Sequence, residues 1–230
     1  MEEFRKGLIS GIVSSIICSP LDLVRTRWQM GGKETTFTVR TYGRSLLGSL
    51  TSQPPFWALY FSIKKITKDI EIPLKDWIQP TIASVLTNPL FLFRTRIQSL
   101  EYVSIGTSKL AINTYNTRDK WTRGVSVSSV HNLQFIPLVA TNDFLLRNIC
   151  ANNMWYEHLL CGSVAKLVSG TIFYPFEVYR TNLRVHADYN MNKFVSSGWR
   201  YWSGGYLAYL MRSVPQTGIT LGMFYTLNTI

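Results

Sequence analysis

Pro20-Leu-Asp-Leu-Val-Arg-Thr-Arg-Trp-Gln29 follows a mostly apolar run from Leu8 to Ser19, and it returns twice more in altered form. A proline inside a helix removes one hydrogen bond and bends the axis. Beyond the bend, Asp22, Arg25 and Gln29 stand at i, i+3 and i+7, so they share one helical face. Pro89-Leu-Phe-Leu-Phe-Arg-Thr-Arg-Ile-Gln98 repeats the pattern after Ile82–Leu86. Pro175-Phe-Glu-Val-Tyr-Arg-Thr-Asn-Leu-Arg184 repeats it after Leu159–Tyr174. Three helices kinked at Pro20, Pro89 and Pro175, each polar on one face below the kink, are expected.

The repetition extends beyond these prolines. Each motif is followed by an aromatic residue and a glycine: Tyr42-Gly43, Trp121-Thr-Arg-Gly124 and Trp202-Ser-Gly204. A second proline comes 12, 13 and 11 residues later, at Pro55, Pro137 and Pro215. The chain therefore reads as one domain of three copies of helix, connection, glycine, helix, with repeats 1–72, 73–152 and 153–230. Helices are expected over about Glu3–Trp28, Arg44–Lys68, Trp77–Gln98, Val125–Asn148, Trp155–Val185 and Tyr206–Asn228. A short amphipathic surface helix is expected around Thr107–Asn116.

Charged residues make up 16% of the 230 and aromatics 13%, yet no run of 18 uninterrupted apolar residues exists. Weak spans are what a bundle produces when each helix turns a polar face to a water-filled centre. Gly7-Leu-Ile-Ser-Gly11 places small residues four apart, which lets a neighbouring helix approach closely in lipid. The net charge of +11 is one-sided: the three connections after the motifs each carry +2, whereas the opposite ends carry 0, +1 and 0. Such Lys/Arg asymmetry sets membrane orientation, and six spans put both termini on the less basic side. A basic helical protein that binds nucleic acid is the competing interpretation, but there the charges would stripe a helix rather than segregate by loop.

Nothing points to an enzyme. No HExxH, paired catalytic carboxylates or Ser–His–Asp order is present. Asp188-Tyr-Asn-Met-Asn192 imitates the start of a calcium loop, but Lys193 and Trp199 fill its glycine and glutamate slots. Gly31-Gly-Lys33-Glu34 lacks the first glycine and the hydroxyl of a phosphate loop. Cys18, Cys150 and Cys161 have neither CxxC spacing nor an even count, so no disulfide or zinc framework follows. No cofactor or metal is expected. The start Met-Glu-Glu-Phe-Arg-Lys is too acidic for an ordinary transit peptide, so an organelle signal is expected to be internal.

The three motifs and the even-helix prolines resemble the mitochondrial carrier family, whose signature is Pro-x-(Asp/Glu)-x-x-(Lys/Arg)-x-(Lys/Arg)-x-Gln, and the resemblance covers nearly the whole chain. It implies an all-α membrane protein: six transmembrane helices in three tandem two-helix repeats, forming a pseudo-threefold barrel. It also implies a monomer in the mitochondrial inner membrane, with the termini toward the intermembrane space and cardiolipin as a candidate lipid partner. Such a protein exchanges a solute by alternating access. In a threefold ring Asp22 pairs with Arg94 and Glu177 with Arg25 as a matrix-side gate, braced by Gln29 and Gln98. Phe91 occupies the third acidic position, which leaves Arg180 without that partner, and Arg184 replaces the third glutamine. The outer ends read Phe61-Ser-Ile-Lys64-Lys65, Asp143-Phe-Leu-Leu-Arg147 and Phe224-Tyr-Thr-Leu-Asn228, so the family's second ionic network is expected to be weak or missing. The first connection is shorter than the family norm and leaves little chain for a surface helix.

The resemblance places substrate contacts about three residues before the even-helix prolines: Ser52, Gln134 with Phe135, and Arg212. Arg212 is the strongest expectation, because a guanidinium inside a membrane needs a partner and its fork matches carboxylate or phosphate. Lys166, nine residues before Pro175, is a second cation at that depth. His131 is expected to cap a polar spot. Family members for keto acids and amino acids resemble one another in an arginine at the helix-four contact, and adenine nucleotide carriers in a glycine and an aliphatic residue; Gln134-Phe135 is neither. Phe135 can stack on a base and Gln134 can bond its edge. A small anionic solute is expected, first a nucleotide or deoxynucleotide such as ADP, ATP, dATP or dTTP, and second a small carboxylate or phosphate.

Overall fold

The computed structural model describes residues 2–30, 38–71, 73–115, 122–148, 154–186 and 188–229, and every regular element among them is helical. In chain order these are α1 (Glu2–Gln29), α2 (Val39–Ile66), α3 (Lys75–Gln98), a 3-10 turn (Leu100–Tyr102) and α4 (Thr107–Tyr115). Then come α5 (Val125–His131), a second 3-10 turn (Asn132–Gln134) and α6 (Phe135–Asn148). The chain ends in α7 (Trp155–Val185), the short α8 (Met191–Ser196) and α9 (Gly198–Trp202), and α10 (Tyr206–Thr229). The expected surface helix is α4. Trp121, Cys150 and the Gly31-Gly-Lys33-Glu34 stretch lie outside the described residues.

Helices α1, α3 and α7 continue through Pro20, Pro89 and Pro175. Helix α2 begins at Val39, five residues before the expected start. Thr38 and Thr41 form a reciprocal cap there: the Thr41 N–H donates to the Thr38 hydroxyl at 3.2 Å, and the Thr38 N–H to the Thr41 hydroxyl at 2.9 Å. Two of the donors that a helix start leaves open are thus satisfied. Gly43 therefore falls inside α2. In the other repeats Gly124 and Gly205, not Gly204, precede α5 and α10 at φ of 79° and 74°.

The fourth expected helix, Val125–Asn148, is interrupted. Pro137 has no N–H for the Leu133 carbonyl, and its ring crowds that oxygen. The chain answers by tightening over Asn132–Gln134 into a 3-10 turn. The turn contains Gln134 and adjoins Phe135, two of the residues expected to meet solute.

The long helices close on one another. Helix α1 packs on α2 and α10, α2 on α3, α3 on α5 and α6, α6 on α7, and α7 on α10. Helices α1, α3 and α7 also touch one another inside this ring. The distribution of polarity is inverted relative to a water-soluble bundle. Ile9, Ile12, Ile16 and Ile17 of α1, Leu86 of α3, and Leu160 and Ile172 of α7 are exposed, while Ser10, Ser14, Asp22 and Arg25 are buried. Exposed apolar surface of this extent is unfavourable in water and favourable in lipid. By length and composition, α1 and α7 are each able to cross a membrane.

The contact of α1 with α2 depends on missing side chains. A Cβ on Gly7 would lie 2.8 Å from the Trp57 carbonyl oxygen, and one on Gly11 would lie 2.7 Å from the Pro54 Cα. Both obstacles are backbone and cannot swing aside. Gly11→Val is therefore expected to push the helices apart at a cost of about 1–3 kcal/mol. A melting curve of the detergent-purified protein should show the loss, while Gly43→Val, with nothing within 4 Å of the added carbon, should change little.

Candidate solute site

Two carboxylates organise the interior. Asp22 is 1% exposed, and its Oδ1 lies 2.6 Å from Arg94 Nη2 and 2.5 Å from Arg212 Nε. Its other oxygen accepts a hydrogen bond from Ser49 of α2 at 2.5 Å. Helices α1, α2, α3 and α10 thus meet at one acid. Glu177, also 1% exposed, contacts Arg25 through one oxygen and Arg180 and His131 through the other. Arg25 further lies over the Tyr209 ring, its Cζ 5.5 Å from the centroid. Both cross-helix pairs expected from a threefold ring are therefore in contact.

With Phe91 at the third acidic position, Arg180 has no acid from the second repeat, and it pairs with Glu177 one turn earlier on its own helix, the i,i+3 geometry that a helix face offers. Phe91 contributes an aromatic face: Arg184 Cζ lies 5.7 Å and Arg94 Cζ 6.0 Å from its centroid. Arg184 bonds neutral groups, donating from Nη2 to Asn88 Oδ1 at 3.0 Å and to Ser128 Oγ at 3.1 Å.

The glutamines brace helices rather than the ion pairs themselves. Gln29 accepts from Thr181 of α7 at 3.1 Å. Gln98 accepts from Thr26 at 3.0 Å and donates to Ser45 and to Ser49, the residue that holds Asp22.

Above the carboxylates is a cavity of about 120 Å³. Gln134, Phe135, Lys166 and Arg212, four of the five expected solute contacts, line it. Ser52 is the exception and is corrected: it is fully buried and its hydroxyl donates to the Gly48 carbonyl at 2.8 Å on its own helix. Its neighbour Gln53 faces the cavity instead, because one residue along a helix turns the side chain by about 100°. With its amide oxygen toward the cations, Gln53 accepts from Arg94 Nη1 and from Arg212 Nη2 at 2.9 Å, and its nitrogen faces Gln216. Gln53 stands two residues before Pro55, one place nearer the proline than the spacing of three that singled out Ser52.

His131 does more than cap. Lys166 Nζ donates to Gln134 Oε1 at 2.6 Å, Gln134 Nε2 lies 2.9 Å from His131 Nδ1, and His131 Nε2 lies 3.0 Å from Glu177. With its proton on Nε2, a neutral imidazole accepts from Gln134 at Nδ1 and turns Nε2 toward Glu177, a contact that does not reach hydrogen-bond geometry. The cavity lysine and Glu177 thus lie at the two ends of one row of polar side chains.

Phe56, Trp57 and Phe135 add an apolar part to the cavity wall. Phe56, Trp57, Tyr60 and Phe61 of α2 pack with Phe135 of α6 and with Leu221 and Phe224 of α10. Phe61 stacks on Phe224 at 3.5 Å between centroids and 7° between planes. Among the described residues no ion pair joins Lys64, Asp143 or Arg147 to another of the three.

The sequence pattern of mitochondrial carrier proteins matches residues 1–47 and 151–230, more than half of the chain. The chain belongs to that family. Two curated relatives align with almost all of this carrier. The mitochondrial nicotinamide adenine dinucleotide transporter 1 of Saccharomyces cerevisiae is 22% identical over 280 aligned positions, covering 95% of this chain and 74% of the relative. The mitochondrial substrate carrier family protein W of Dictyostelium discoideum is 23% identical over 274 positions, covering 95% and 83%. The carrier is thus a transporter of the mitochondrial carrier type.

In the carrier, Asp22→Asn leaves Arg94 and Arg212 facing a neutral amide in a buried place. Breaking such a cluster from one side is expected to cost about 3–5 kcal/mol. A second change, Arg94→Gln, should return part of that loss, and thermal melting of the two single variants and the double variant measures the coupling.

Proposed function

We propose that this carrier exchanges nucleotides or deoxynucleotides across the mitochondrial inner membrane by alternating access. One observation carries the choice of an anion. Arg25, Arg94, Lys166, Arg180, Arg184 and Arg212 line the cavity, while Asp22 and Glu177 are the acids in contact with them, an excess of four positive charges. Buried charge of one sign is unfavourable until an opposite charge joins it. Phosphate groups supply that charge, and guanidiniums match their geometry. Phe135 offers a stacking face for a base. The name of the yeast relative, a nicotinamide adenine dinucleotide transporter, lends support to a nucleotide-type substrate.

In this reading the six long rods, α5 and α6 counting as one, are the spans of three repeats at 1–72, 73–152 and 153–230, with both termini on the intermembrane-space side. The layer of ion pairs around Asp22 and Glu177 is the matrix-side gate, and the aromatic cluster of α2, α6 and α10 is the gate on the other side. A cavity of about 120 Å³ is smaller than the roughly 300–1,000 Å³ of pockets that take drug-sized ligands. A nucleotide therefore enters only when one gate parts. Solute that draws Lys166 away from Gln134 would loosen the row through His131 to Glu177, so loading and gate opening share side chains.

The small volume also favours a second reading, a carrier of phosphate or small carboxylates. Both are settled by uptake into liposomes preloaded with nucleotides, carboxylates or phosphate. Nucleotide exchange is expected; saturable uptake of carboxylate or phosphate alone would select the second reading. Arg212→Ala and Lys166→Gln are each expected to lower nucleotide uptake by about 10- to 100-fold, the loss of one charge-assisted contact. Uptake unchanged by either would remove that residue from the site. Carbonate extraction should leave the protein in the membrane, and its release would contradict the spans.

A further inference from the structure

We propose that the floor of the cavity beside Phe91 is a subsite for one phosphoryl group of the transported solute, which there takes the place of the acid that the second repeat lacks. This rests on the anion-exchange reading above. The first and third repeats each place a carboxylate between two guanidiniums: Asp22 between Arg94 and Arg212, and Glu177 between Arg25 and Arg180. The second repeat places the ring of Phe91 near Arg184 and Arg94 instead. A ring face attracts a cation far less than a carboxylate does, so Arg184, unlike Arg94 with its Asp22, is left without an acid beside it.

Arg184 is 4% exposed, lines the cavity, bonds the neutral Asn88 and Ser128 through Nη2, and has an Nε–H without a hydrogen-bond acceptor. Arg180, on the same cavity wall, also has an Nε–H without an acceptor. Buried donors without acceptors are uncommon and unfavourable in folded proteins. No carboxylate is in ion-pair contact with Arg184 among the described residues. A phosphoryl group carries three oxygens and the right charge, and it can accept from several guanidinium N–H groups at once. The base or sugar of the same solute then points up the cavity toward Gln134 and Phe135.

The substitution Phe91→Asp tests this by supplying a fixed carboxylate that competes with the phosphoryl group. Phe91→Asn is its uncharged control of equal size. Melting of the full chain in detergent is followed with and without inorganic pyrophosphate at constant ionic strength. For the unaltered protein, pyrophosphate at about a hundred times its dissociation constant should raise the midpoint by about 5 °C or more. Phe91→Asp should melt higher than Phe91→Asn without the anion and lose most of the pyrophosphate shift, while Phe91→Asn keeps it. The proposal fails if Phe91→Asp keeps the full shift at the same half-saturating concentration, if both variants lose it alike, or if the unaltered protein shows none. A failure of this kind beside intact nucleotide uptake removes the subsite alone, whereas absent uptake of every anion removes the transport reading.

Discussion

Two buried carboxylates hold this interior together. Asp22 and Glu177 are each almost sealed from solvent and each touch cations from more than one helix. Without them a ring of guanidiniums would stand in a low-dielectric interior with nothing to offset its mutual repulsion. Their placement also fixes geometry. Asp22 ties α1 to α3 and α10 by charge and to α2 through Ser49, while Glu177 ties α7 to α1 and, through His131, to α5. The glutamines and threonines below them add neutral bonds between the same helices.

Much of this was legible because the signal was periodic. Three copies of one motif identify the polar face, and helical spacing alone places Asp22 with Arg25 and Glu177 with Arg180 on shared faces. The step from shared face to cross-helix pair needed the threefold arrangement that the repetition implied. Arg180 has an acid within one turn, and that short-range partner is available whether or not position 91 is acidic. Other details were not legible. Gln53 rather than Ser52 lines the cavity, because a spacing counted from a proline places a contact only to within a residue, and one residue turns a helical side chain by about 100°. The 3-10 turn at Asn132–Gln134 follows from Pro137, but only a backbone shows which residue absorbs the tightening. The Thr38–Thr41 cap uses a hydroxyl where a glutamate or glutamine is more usual, so its signal was faint.

The aromatic cluster was the least legible part. The outer helix ends carry few charged pairs in their sequence. Phe56, Trp57, Tyr60, Phe61, Phe135 and Phe224 pack together instead, residues that spread over α2, α6 and α10 with no common motif. The ionic and the aromatic parts of the interior are consequently held by different forces. Ion pairs are directional and depend strongly on what else is charged nearby. Stacked rings are held by burial and dispersion, and depend little on the charge inside the cavity.

That difference matters for what a bound anion can do. Negative charge placed among Arg25, Arg94, Arg180 and Arg212 competes with Asp22 and Glu177 for the same guanidiniums, so it weakens the ionic layer as it binds. The same charge has little purchase on Phe61 and Phe224. It also relieves the repulsion among the cavity cations, so the protein gains from holding the anion what the ionic layer loses. A solute of four negative charges would leave the interior near neutrality, and a cavity near neutrality is the form best suited to lie at the centre of a bilayer. The acid missing from the second repeat accounts for one of the four excess charges, and the other cavity cations supply the rest.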